Sequence, residues 1–286
     1  MTTESNKRAA AVNTAANVEG AIKAAYTMDN AWQQERHRLA LLEASEDPTT
    51  TRHLEALGVS AGWRCLEVGG GGGSIAAWLC RRVEPDGAVL ATDIDPRFLD
   101  ALDYPNLEVR RHDIVTDPLP ASYFDLIHTR AVLTHLAGRD QALRQMVAAL
   151  KPGGWLLAEE LDFESFRPGP TVSPEAAALF DKHWRTVEQI WTGHGVDVRC
   201  GWRLYGDLRS RGLEDVGAQG RVVMIRGTSA DAEFWRLTWE QLRERTLASG
   251  MVSEPELEQL LRLLADPDFT WGDGTIWAVW GRRPAQ

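Results

Sequence analysis

The sequence predicts an α/β protein with a seven-stranded, mostly parallel sheet, an antiparallel C-terminal edge, and a helical lid and insertions. Between residues 64 and 162, short apolar segments alternate with amphipathic helical patterns. One of the apolar segments runs directly into five consecutive glycines at positions 69–73, and a helical pattern follows. Two further strand patterns lie near the C-terminus. Because parallel neighbours need crossover connections, which helices supply, this alternation favours βαβ units.

Composition restricts the classes of function. The chain has 286 residues, 31 Lys and Arg against 41 Asp and Glu, and a formal charge of −10. That acidic balance argues against a nucleic-acid partner, because such binding depends on cationic patches. No window approaches the roughly 18 apolar residues of a membrane span, and the polar, alanine-rich N-terminus lacks the apolar core of a signal peptide. We expect a cytoplasmic protein with no membrane or metal site, and the sequence leaves a homo-oligomer open.

The three cysteines support the same location. Cys65, Cys80 and Cys200 cannot all pair with one another, and none belongs to a CxxC motif. Free thiols are typical of a reducing compartment, and Cys65 opens an apolar strand pattern. We therefore interpret all three as reduced thiols, and Cys65 as a buried side chain.

Residues 1–60 are predicted to form an N-terminal helical lid. A broad apolar stripe begins at Ala31 and predicts a helix that ends near Asp47–Pro48, because proline cannot continue a helix. The segment PTTTRHLEALG then predicts a second, shorter helix, with Pro48 in its first turn and Gly58 at its end.

Residues 61–162 are predicted to form the core. Its elements, in order, are the strand RCLEVG, the helix SIAAWLCRRV, the strand AVLATDID, a helix beginning at PRFLDAL, the strands LEVRRHDI and YFDLIHTR, the helix HLAGRDQALRQMVAALKPGG and the strand WLLAEELD. We expect Gly153 and Gly154 to end the last helix and turn the chain into the fifth strand.

The remainder is predicted to be a helical cap insertion at residues 163–212, followed by the C-terminal strands of the sheet at residues 213–286. The segment GLEDVGAQGRVVMIRG predicts one strand and TIWAVWGRRP the last, with a helical insertion over about 229–270 between them. Nine of the 12 tryptophans lie at or after Trp155, which concentrates aromatic side chains in these segments.

The glycine run predicts a ligand. A strand, a glycine loop and a helix place an anionic or polar ligand at the helix N-terminus, above the carboxyl ends of the strands. One compatible pattern is the dinucleotide motif GxGxxG/A at Gly71, Gly73 and Ala76, with Asp93 about twenty residues later. The other is E-x-G-x-G-x-G, formed by Glu67, Gly69, Gly71 and Gly73. Five glycines satisfy the first pattern easily, so the second carries more information.

The second pattern resembles the first motif of class I S-adenosylmethionine-dependent methyltransferases. The resemblance continues in the same order through ATDID, RRHDI, FDLIHTRAVLTHL and LKPGGWLLAEE. It implies a Rossmann-like fold, S-adenosyl-L-methionine as methyl donor and S-adenosyl-L-homocysteine as product. It also implies that Asp93 binds the ribose and that Asp113 binds the adenine amino group.

The residue types agree with these implied contacts. A carboxylate at a strand end, Asp93, can accept hydrogen bonds from two vicinal hydroxyls, and Ile94 offers an apolar face to a base. Asp113 can accept from an exocyclic amine while the backbone N–H of Ile114 reads a ring nitrogen. The alternative for both acids is simple capping of a strand end or a turn.

Four further residues are assigned to the cofactor. Glu67 either fixes the glycine loop or binds the ammonium of the ligand, and Thr129 near the end of the fourth strand completes the set. In similar methyltransferases an N-terminal tyrosine and arginine reach the methionine carboxylate, which implies Tyr26 and Arg38. The alternative is a solvated helix face anchored by Tyr26.

Catalysis of methyl transfer needs a base only when the acceptor is a hydroxyl or a carbon. The candidates are His135 and Glu159, with His128 and Glu160 as further carboxyl-end groups. Consecutive residues of a strand point to opposite faces, so only one of the two glutamates can face a pocket. His135 has a structural role as its alternative, and His128 lies in an apolar strand pattern that favours packing.

The tryptophans of the insertions predict an aromatic acceptor pocket, formed by Trp184, Trp191, Trp235 and Trp239 and bordered by Trp202. The alternative is that they bury the insertions against the core. We therefore expect methyl transfer to an N, O or C atom of a small, aromatic or secondary-metabolite acceptor. The competing functions are an S-adenosylmethionine-binding protein with a non-methylating activity, such as a cyclase, and a NAD-dependent oxidoreductase.

Overall fold

A seven-stranded sheet organises the chain. The computed structural model describes Met28, Asp29 and residues 31–285. The strands of this sheet are β1 Arg64–Val68, β2 Ala88–Asp93, β3 Leu107–Arg111, β4 Phe124–Arg130, β5 Leu150–Asp162, β7 Glu214–Arg221 and β10 Thr275–Arg282. Their spatial order is β3-β2-β1-β4-β5-β10-β7, in which β1 to β5 are parallel and β10 pairs antiparallel with both β5 and β7. This topology confirms the predicted fold class.

Eight helices are described, together with a small second sheet. The helices are α1 Glu35–Ala56, α2 Ser74–Val83, α3 Arg139–Ala149, α4 Pro174–Gly193, α5 Cys200–Ser210, α6 Ala230–Gln241, α7 Arg243–Ala248 and α8 Glu254–Leu264. Three short strands form the antiparallel order β6-β9-β8, with bounds β6 Arg167–Pro168, β8 Met224–Arg226 and β9 Thr270–Gly272. Across the described part of the chain, no helix has both the length and the apolar composition needed to cross a bilayer.

The sheet is buried on both faces. Cys65 and Leu66, which are adjacent in β1, belong to two different apolar clusters, as do Leu126 and Ile127 in β4. Successive side chains of a strand point to opposite faces, so a parallel sheet covered by helices needs continuous apolar strands. Helix α5, which the predicted boundaries place in the cap insertion, also packs on this sheet. All three cysteines are buried and unpaired.

A third apolar cluster belongs to the later helices and the small sheet. Its aromatic members include Phe163, Phe166, Phe180, Trp184, Trp191, Trp235, Trp239, Phe269 and Trp271. Ring centroids within this cluster lie 4.6–6.4 Å apart, the spacing at which tilted and edge-to-face aromatic contacts are favourable. The insertions therefore have a core of their own.

The segment predicted as a lid differs from the prediction in one respect: it contains a single helix, α1, which continues through Pro48. Proline removes one intrahelical hydrogen bond and crowds the preceding turn, at a cost of about 3 kcal/mol. Side chains on both sides of it are buried, including Arg38, Glu46, Thr50 and His53. Packing of this face against the rest of the protein outweighs the tendency of Pro48 to end the helix.

Two predicted helix boundaries were also wrong. The helix expected at PRFLDAL is a single 3-10 turn over Leu99–Ala101, followed shortly by Tyr104–Pro105, where the pre-proline residue disfavours helix. Helix α3 ends at Ala149 and β5 begins at Leu150, so Gly153 and Gly154 lie in the strand segment. Gly153 has φ +81° there, and a Cβ at Gly154 would lie 2.9 Å from the carbonyl oxygen of Phe124.

The single strand predicted over residues 212–227 is two strands in two different sheets. Strand β7 is the edge of the large sheet, whereas β8 pairs with β9. The small sheet was not predicted, because strands of two or three residues are too short to produce a detectable alternation.

Candidate active site

The glycine loop connects β1 to α2 at the carboxyl end of the sheet. Gly69 and Gly71 have φ values of +68° and +52°, which L-residues with a side chain rarely adopt. A Cβ at Gly69 would overlap the Val132 side chain, whereas the space beside Gly71 is open to 3.9 Å. The loop therefore packs tightly at its beginning and opens at Gly71.

The other three glycines also have assigned positions. Gly73 is the left-handed N-cap of α2 and does not line the cavity described below. A Cβ at Gly70 would lie 2.9 Å from Leu99 Cδ2, and one at Gly72 would overlap Glu43 of α1. A side chain at Gly70 or Gly72 would thus have to displace the ends of neighbouring side chains.

A cavity of about 380 Å³ lies above the carboxyl ends of the strands. One side is formed by the loop and by acids at the ends of β1, β2 and β3, and the other by α1, the insertions and the turn after β4. The first group is Glu67, Gly69, Gly70, Gly71, Gly72, Asp93, Ile94, His112, Asp113 and Ile114. The second includes Met28, Arg38, His135, Leu161, Phe163, Trp191, Val196, Phe234, Trp235 and Thr238.

Asp93 is held in place by backbone donors. Its Oδ2 accepts from the Gly71 N–H at 3.1 Å and its Oδ1 from the Asp95 N–H at 2.9 Å. Burial raises the pKa of Asp93, although these two hydrogen bonds oppose the shift. Each oxygen keeps lone pairs for a further donor, so the carboxylate can accept two hydroxyl groups from the cavity.

At the end of β3, Asp113 forms a turn as well as lining the cavity. Its Oδ1 accepts from the Val115 N–H at 2.8 Å, and Ile114 is buried against the same wall. Asp113 thus forms the turn and also lines the cavity, so the two roles posed as alternatives are compatible. His112, which the sequence analysis missed, is 6% exposed and lines the cavity with no described partner for either ring nitrogen. No local pattern distinguishes it from any other strand-end histidine.

Glu67 begins a buried hydrogen-bonded chain beneath the loop. Its Oε2 lies 2.6 Å from His128 Nδ1, and His128 Nε2 lies 3.1 Å from Glu159 Oε2. Burial opposes protonation of the imidazole, but the charges and hydrogen bonds of the two glutamates outweigh it and raise the pKa of His128 to about 9. The same imidazolium lowers the pKa of Glu159 despite its burial. His128 is therefore a cation between two carboxylates.

The predicted lid residue Arg38 is buried on α1. It donates to both carboxylate oxygens of Glu35, at 2.9 and 2.6 Å, and lies 5.2 Å from the Phe234 ring centroid. Its charge is already matched by Glu35, although it lines the cavity. The other predicted lid contact, Tyr26, falls outside the described residues.

His135 lies at the end of a 3-10 turn whose backbone N–H groups donate hydrogen bonds to the Glu160 carboxylate. Glu160 Oε1 accepts from the N–H groups of Val132 and Leu133 at 2.9 and 2.7 Å, and Oε2 accepts from Thr134 at 3.1 Å. Burial lowers the pKa of His135 to about 4, with a smaller contribution from the Arg38 charge. His135 is thus a neutral imidazole facing the cavity.

Two further predicted site residues, Thr129 and Glu159, also lie outside the cavity lining. Thr129 is fully buried within β4. Glu159 is beneath the loop and accepts from Thr50 at 2.6 Å as well as contacting His128. The structure brings Glu159 into contact with Glu67 through His128, but not with the space that a ligand would fill.

The four predicted pocket tryptophans divide into two pairs. Trp191 and Trp235 line the cavity, and Trp235 Nε1 donates to Asp273 Oδ1 at 3.0 Å. Trp184 and Trp239 are packed behind them, 8% and 0% exposed, in the aromatic cluster. All four tryptophans thus belong to the buried cluster of the insertions, two of them also line the cavity, and their contact with an acceptor stays a prediction. Trp202 is 66% exposed on α5 and lies outside the lining.

Comparison with known proteins points to one kind of domain. Residues 66–156 match a family model described as a methyltransferase domain. An N-methyltransferase, sirN, of Leptosphaeria maculans is 32% identical over 189 residues, covering 60% of this chain and 64% of that protein. Methyltransferase str3 of Strobilurus tenacellus is 31% identical over 159 residues, covering 54% and 55%. The chain thus aligns with between half and two thirds of the length of these two relatives.

A solved structure agrees in fold. A putative methyltransferase from Bacillus halodurans C-125 has a TM-score of 0.52 at 16% identity, covering 82% of this chain and 98% of its own. The family match spans the glycine loop, Asp93 and Asp113, and both acids and four of the five loop glycines lie on one wall of the cavity. The chain therefore contains a class I S-adenosylmethionine-dependent methyltransferase domain on a Rossmann-like fold.

Proposed function

We propose that this protein transfers the methyl group of S-adenosylmethionine to a small aromatic acceptor bound in the same cavity. The observation that carries the proposal is the cofactor wall: Asp93, fixed by the Gly71 N–H, shares one cavity with Asp113 and Glu67. Carboxylates at successive strand ends suit a ribose, an adenine amino group and an ammonium. The orphaned ring nitrogens of His112 on the same wall also fit a polar heterocycle.

The lining of the acceptor side supports the aromatic assignment. Its walls are Phe163, Trp191, Phe234 and Trp235, whereas the lining carboxylates belong to the cofactor wall and α1. Among the described residues, no lining carboxylate belongs to the insertions that carry these four aromatic rings, so an ammonium group on the acceptor would meet no matching charge there. An uncharged aromatic acceptor, with an oxygen, nitrogen or carbon nucleophile, is the favoured class.

The residues of the chain have separate tasks in the proposed reaction. The bound cofactor supplies an electrophilic methyl group on a sulfonium with a good leaving group. The aromatic walls orient the acceptor and exclude water, which favours in-line displacement. His135, neutral because of burial and Arg38, can accept the proton of an acceptor hydroxyl at Nδ1 or Nε2. For a nucleophile that has no proton to lose, positioning is sufficient.

We also propose that the chain is divided into a core, a lid and two insertions, as the sequence predicts. One face of α1, containing Arg38, Leu39, Leu42 and Glu43, lines the cavity. We assign residues 1–60 as a lid over the cofactor and residues 163–212 and about 229–270 as acceptor-binding insertions on the core of residues 61–162 and the strands of residues 213–286. The three free thiols favour a cytoplasmic location.

A methyl-transfer assay with two matched tryptophan variants tests the proposal. Purified protein is incubated with S-adenosylmethionine and a panel of phenols, indoles and aromatic amines, and S-adenosylhomocysteine is quantified. With an active acceptor, Trp235→Phe should raise KM about tenfold, since it removes aromatic contact area and the hydrogen bond to Asp273. Trp239→Phe, whose site is buried outside the lining, should lower stability and leave KM unchanged.

Other outcomes would contradict the proposal. Conversion of an acceptor without accumulation of S-adenosylhomocysteine would indicate a non-methylating activity. Equal effects of the two tryptophan variants on KM would indicate that the aromatic residues only pack the insertions.

A further inference from the structure

A buried chain of polar groups connects the floor of the cavity to helix α1. It runs from Glu67 through His128 to Glu159, and Thr50 of α1 donates to Glu159 Oε2 at 2.6 Å. Thr50 and His128 are 1% and 0% exposed. Neither residue lines the cavity, so neither can touch a ligand there.

The chain continues through a second cation to the beginning of α2. Arg130 donates to Thr50 Oγ1 and to Asp47 Oδ1, each at 2.9 Å. Asp47 also accepts from Ser74 Oγ at 3.1 Å, and Ser74 is the first residue of α2 after the glycine loop. Helix α1 is therefore joined to the loop from both sides.

The charges of this cluster do not balance. Three carboxylates, those of Glu67, Glu159 and Asp47, surround two cations, His128 and Arg130. The side chain of Asp47 is 27% exposed, so water solvates part of the excess negative charge, whereas the Glu67 side chain is 5% exposed. Glu67 is the one of the three carboxylates that lines the cavity. A cationic group of a ligand beside Glu67 would complete the charge balance.

We propose that His128 and Thr50 are positioning residues that act through Glu67 to bind the α-ammonium of the cofactor and couple its binding to the docking of α1. The inference rests on the proposed function, because it takes the amino-acid end of S-adenosylmethionine as the ligand of Glu67. Thr50 supports the Glu159 carboxylate, Glu159 supports the protonated His128, and His128 Nδ1–H fixes one oxygen of Glu67. The second oxygen of Glu67 is then directed toward the ammonium.

Two adjacent threonines provide a matched test. Thr50→Val removes the hydroxyl that joins Arg130 to Glu159 and keeps the shape of the side chain. Thr51→Val is the control, because the Thr51 hydroxyl donates to the backbone carbonyl of Asp47 at 2.8 Å, within its own helix. Thr50→Ser restores the hydroxyl and should restore the wild-type behaviour.

Two ligands separate positioning from general damage. S-adenosylhomocysteine carries the α-ammonium, whereas 5′-methylthioadenosine lacks the amino-acid portion. By calorimetry, Thr50→Val should weaken S-adenosylhomocysteine binding about tenfold, as expected for one hydrogen bond to a charged network. Its affinity for 5′-methylthioadenosine should stay within about twofold of the wild-type affinity, and Thr51→Val should bind both ligands as the wild type does.

The results that overturn the inference are distinct from those that overturn the proposed function. If Thr50→Val weakens both ligands equally, or neither, the network does not position the ammonium. If the wild-type protein binds neither ligand, the proposed cofactor itself is wrong. His128→Asn, which retains an amide donor for Glu67 but loses the contact with Glu159, should give the same selective loss as Thr50→Val.

Discussion

At the scale of single residues, the glycine loop separates the requirements of folding from those of binding. Gly71 needs a left-handed backbone, yet its side-chain position is open space in the cavity wall. Gly58, after the end of α1, has φ +86°, and a Cβ there would also meet nothing within 4 Å. The two glycines have the same backbone demand, and only one of them faces the cavity.

Substitution of these two glycines by alanine should therefore give a clear contrast. Each variant should lose about 1 kcal/mol of unfolding free energy, the usual cost of a left-handed alanine. Gly71→Ala should also weaken S-adenosylhomocysteine binding at least tenfold, because the backbone can no longer approach the ligand closely. Urea denaturation and calorimetry measure the two effects, and normal binding by Gly71→Ala would contradict the assigned position.

His128 makes the stability of the fold depend on pH. Its pKa is raised from 6.5 to about 9 in the folded protein, so its stabilisation is complete below about pH 6.5 and is lost as the pH rises through about 9. The full effect is on the order of 3 kcal/mol. The difference in unfolding free energy between wild type and His128→Gln should shrink between pH 6.5 and 9.5. A difference that stayed constant over this range would mean that His128 is neutral in the folded state.

At the scale of elements, the turn after β4 depends on a residue of the neighbouring strand. Glu160 of β5 accepts three backbone N–H groups of the turn that contains His135. Burial raises the pKa of Glu160 to about 7, although the three donors oppose the shift. The position of His135 is thus set by a carboxylate that does not itself line the cavity.

Glu160→Gln tests this support. Either orientation of the amide places an N–H group against a backbone N–H donor of the turn, so the variant should lose about 1–3 kcal/mol of unfolding free energy. Methyl transfer to a hydroxyl acceptor should fall as His135 is displaced, while S-adenosylhomocysteine binding changes less. Chemical denaturation and kcat measure the two effects, and a fully active variant of normal stability would show that the turn holds its shape without Glu160.

The positions of helices and strands were predictable where the pattern that indicates them lies in consecutive residues of the sequence. Continuous apolar strands followed by acids placed Asp93 and Asp113 at neighbouring strand ends, as the topology confirms. The boundary at Pro48 was not predictable, because the burial of α1 on both sides of the proline is a tertiary effect. Whether a tryptophan lines a cavity or packs behind it, as Trp235 and Trp239 do, also depends on how the insertions fold over the sheet.

At the scale of the whole molecule, the least predictable feature is the buried network beneath the loop. Its central members, Glu67, His128 and Glu159, come from three strands, and Thr50 comes from helix α1. No spacing in the sequence joins positions so far apart. His128 was expected to pack in an apolar strand, and its burial is confirmed. Its ionic partners lie on β1 and β5, and only the pairing of β4 with these two strands brings them next to His128.

The most direct test of the cofactor assignment is calorimetric titration of S-adenosylhomocysteine and NAD into the wild type, Asp93→Ala and Asp100→Ala. Asp100 is an exposed acid on the 3-10 turn after β2 and does not line the cavity, so it controls for loss of a nearby charge. We expect one S-adenosylhomocysteine bound per chain by the wild type and by Asp100→Ala, no binding by Asp93→Ala and no binding of NAD. Binding of NAD in place of S-adenosylhomocysteine, or undiminished binding by Asp93→Ala, would contradict the assignment.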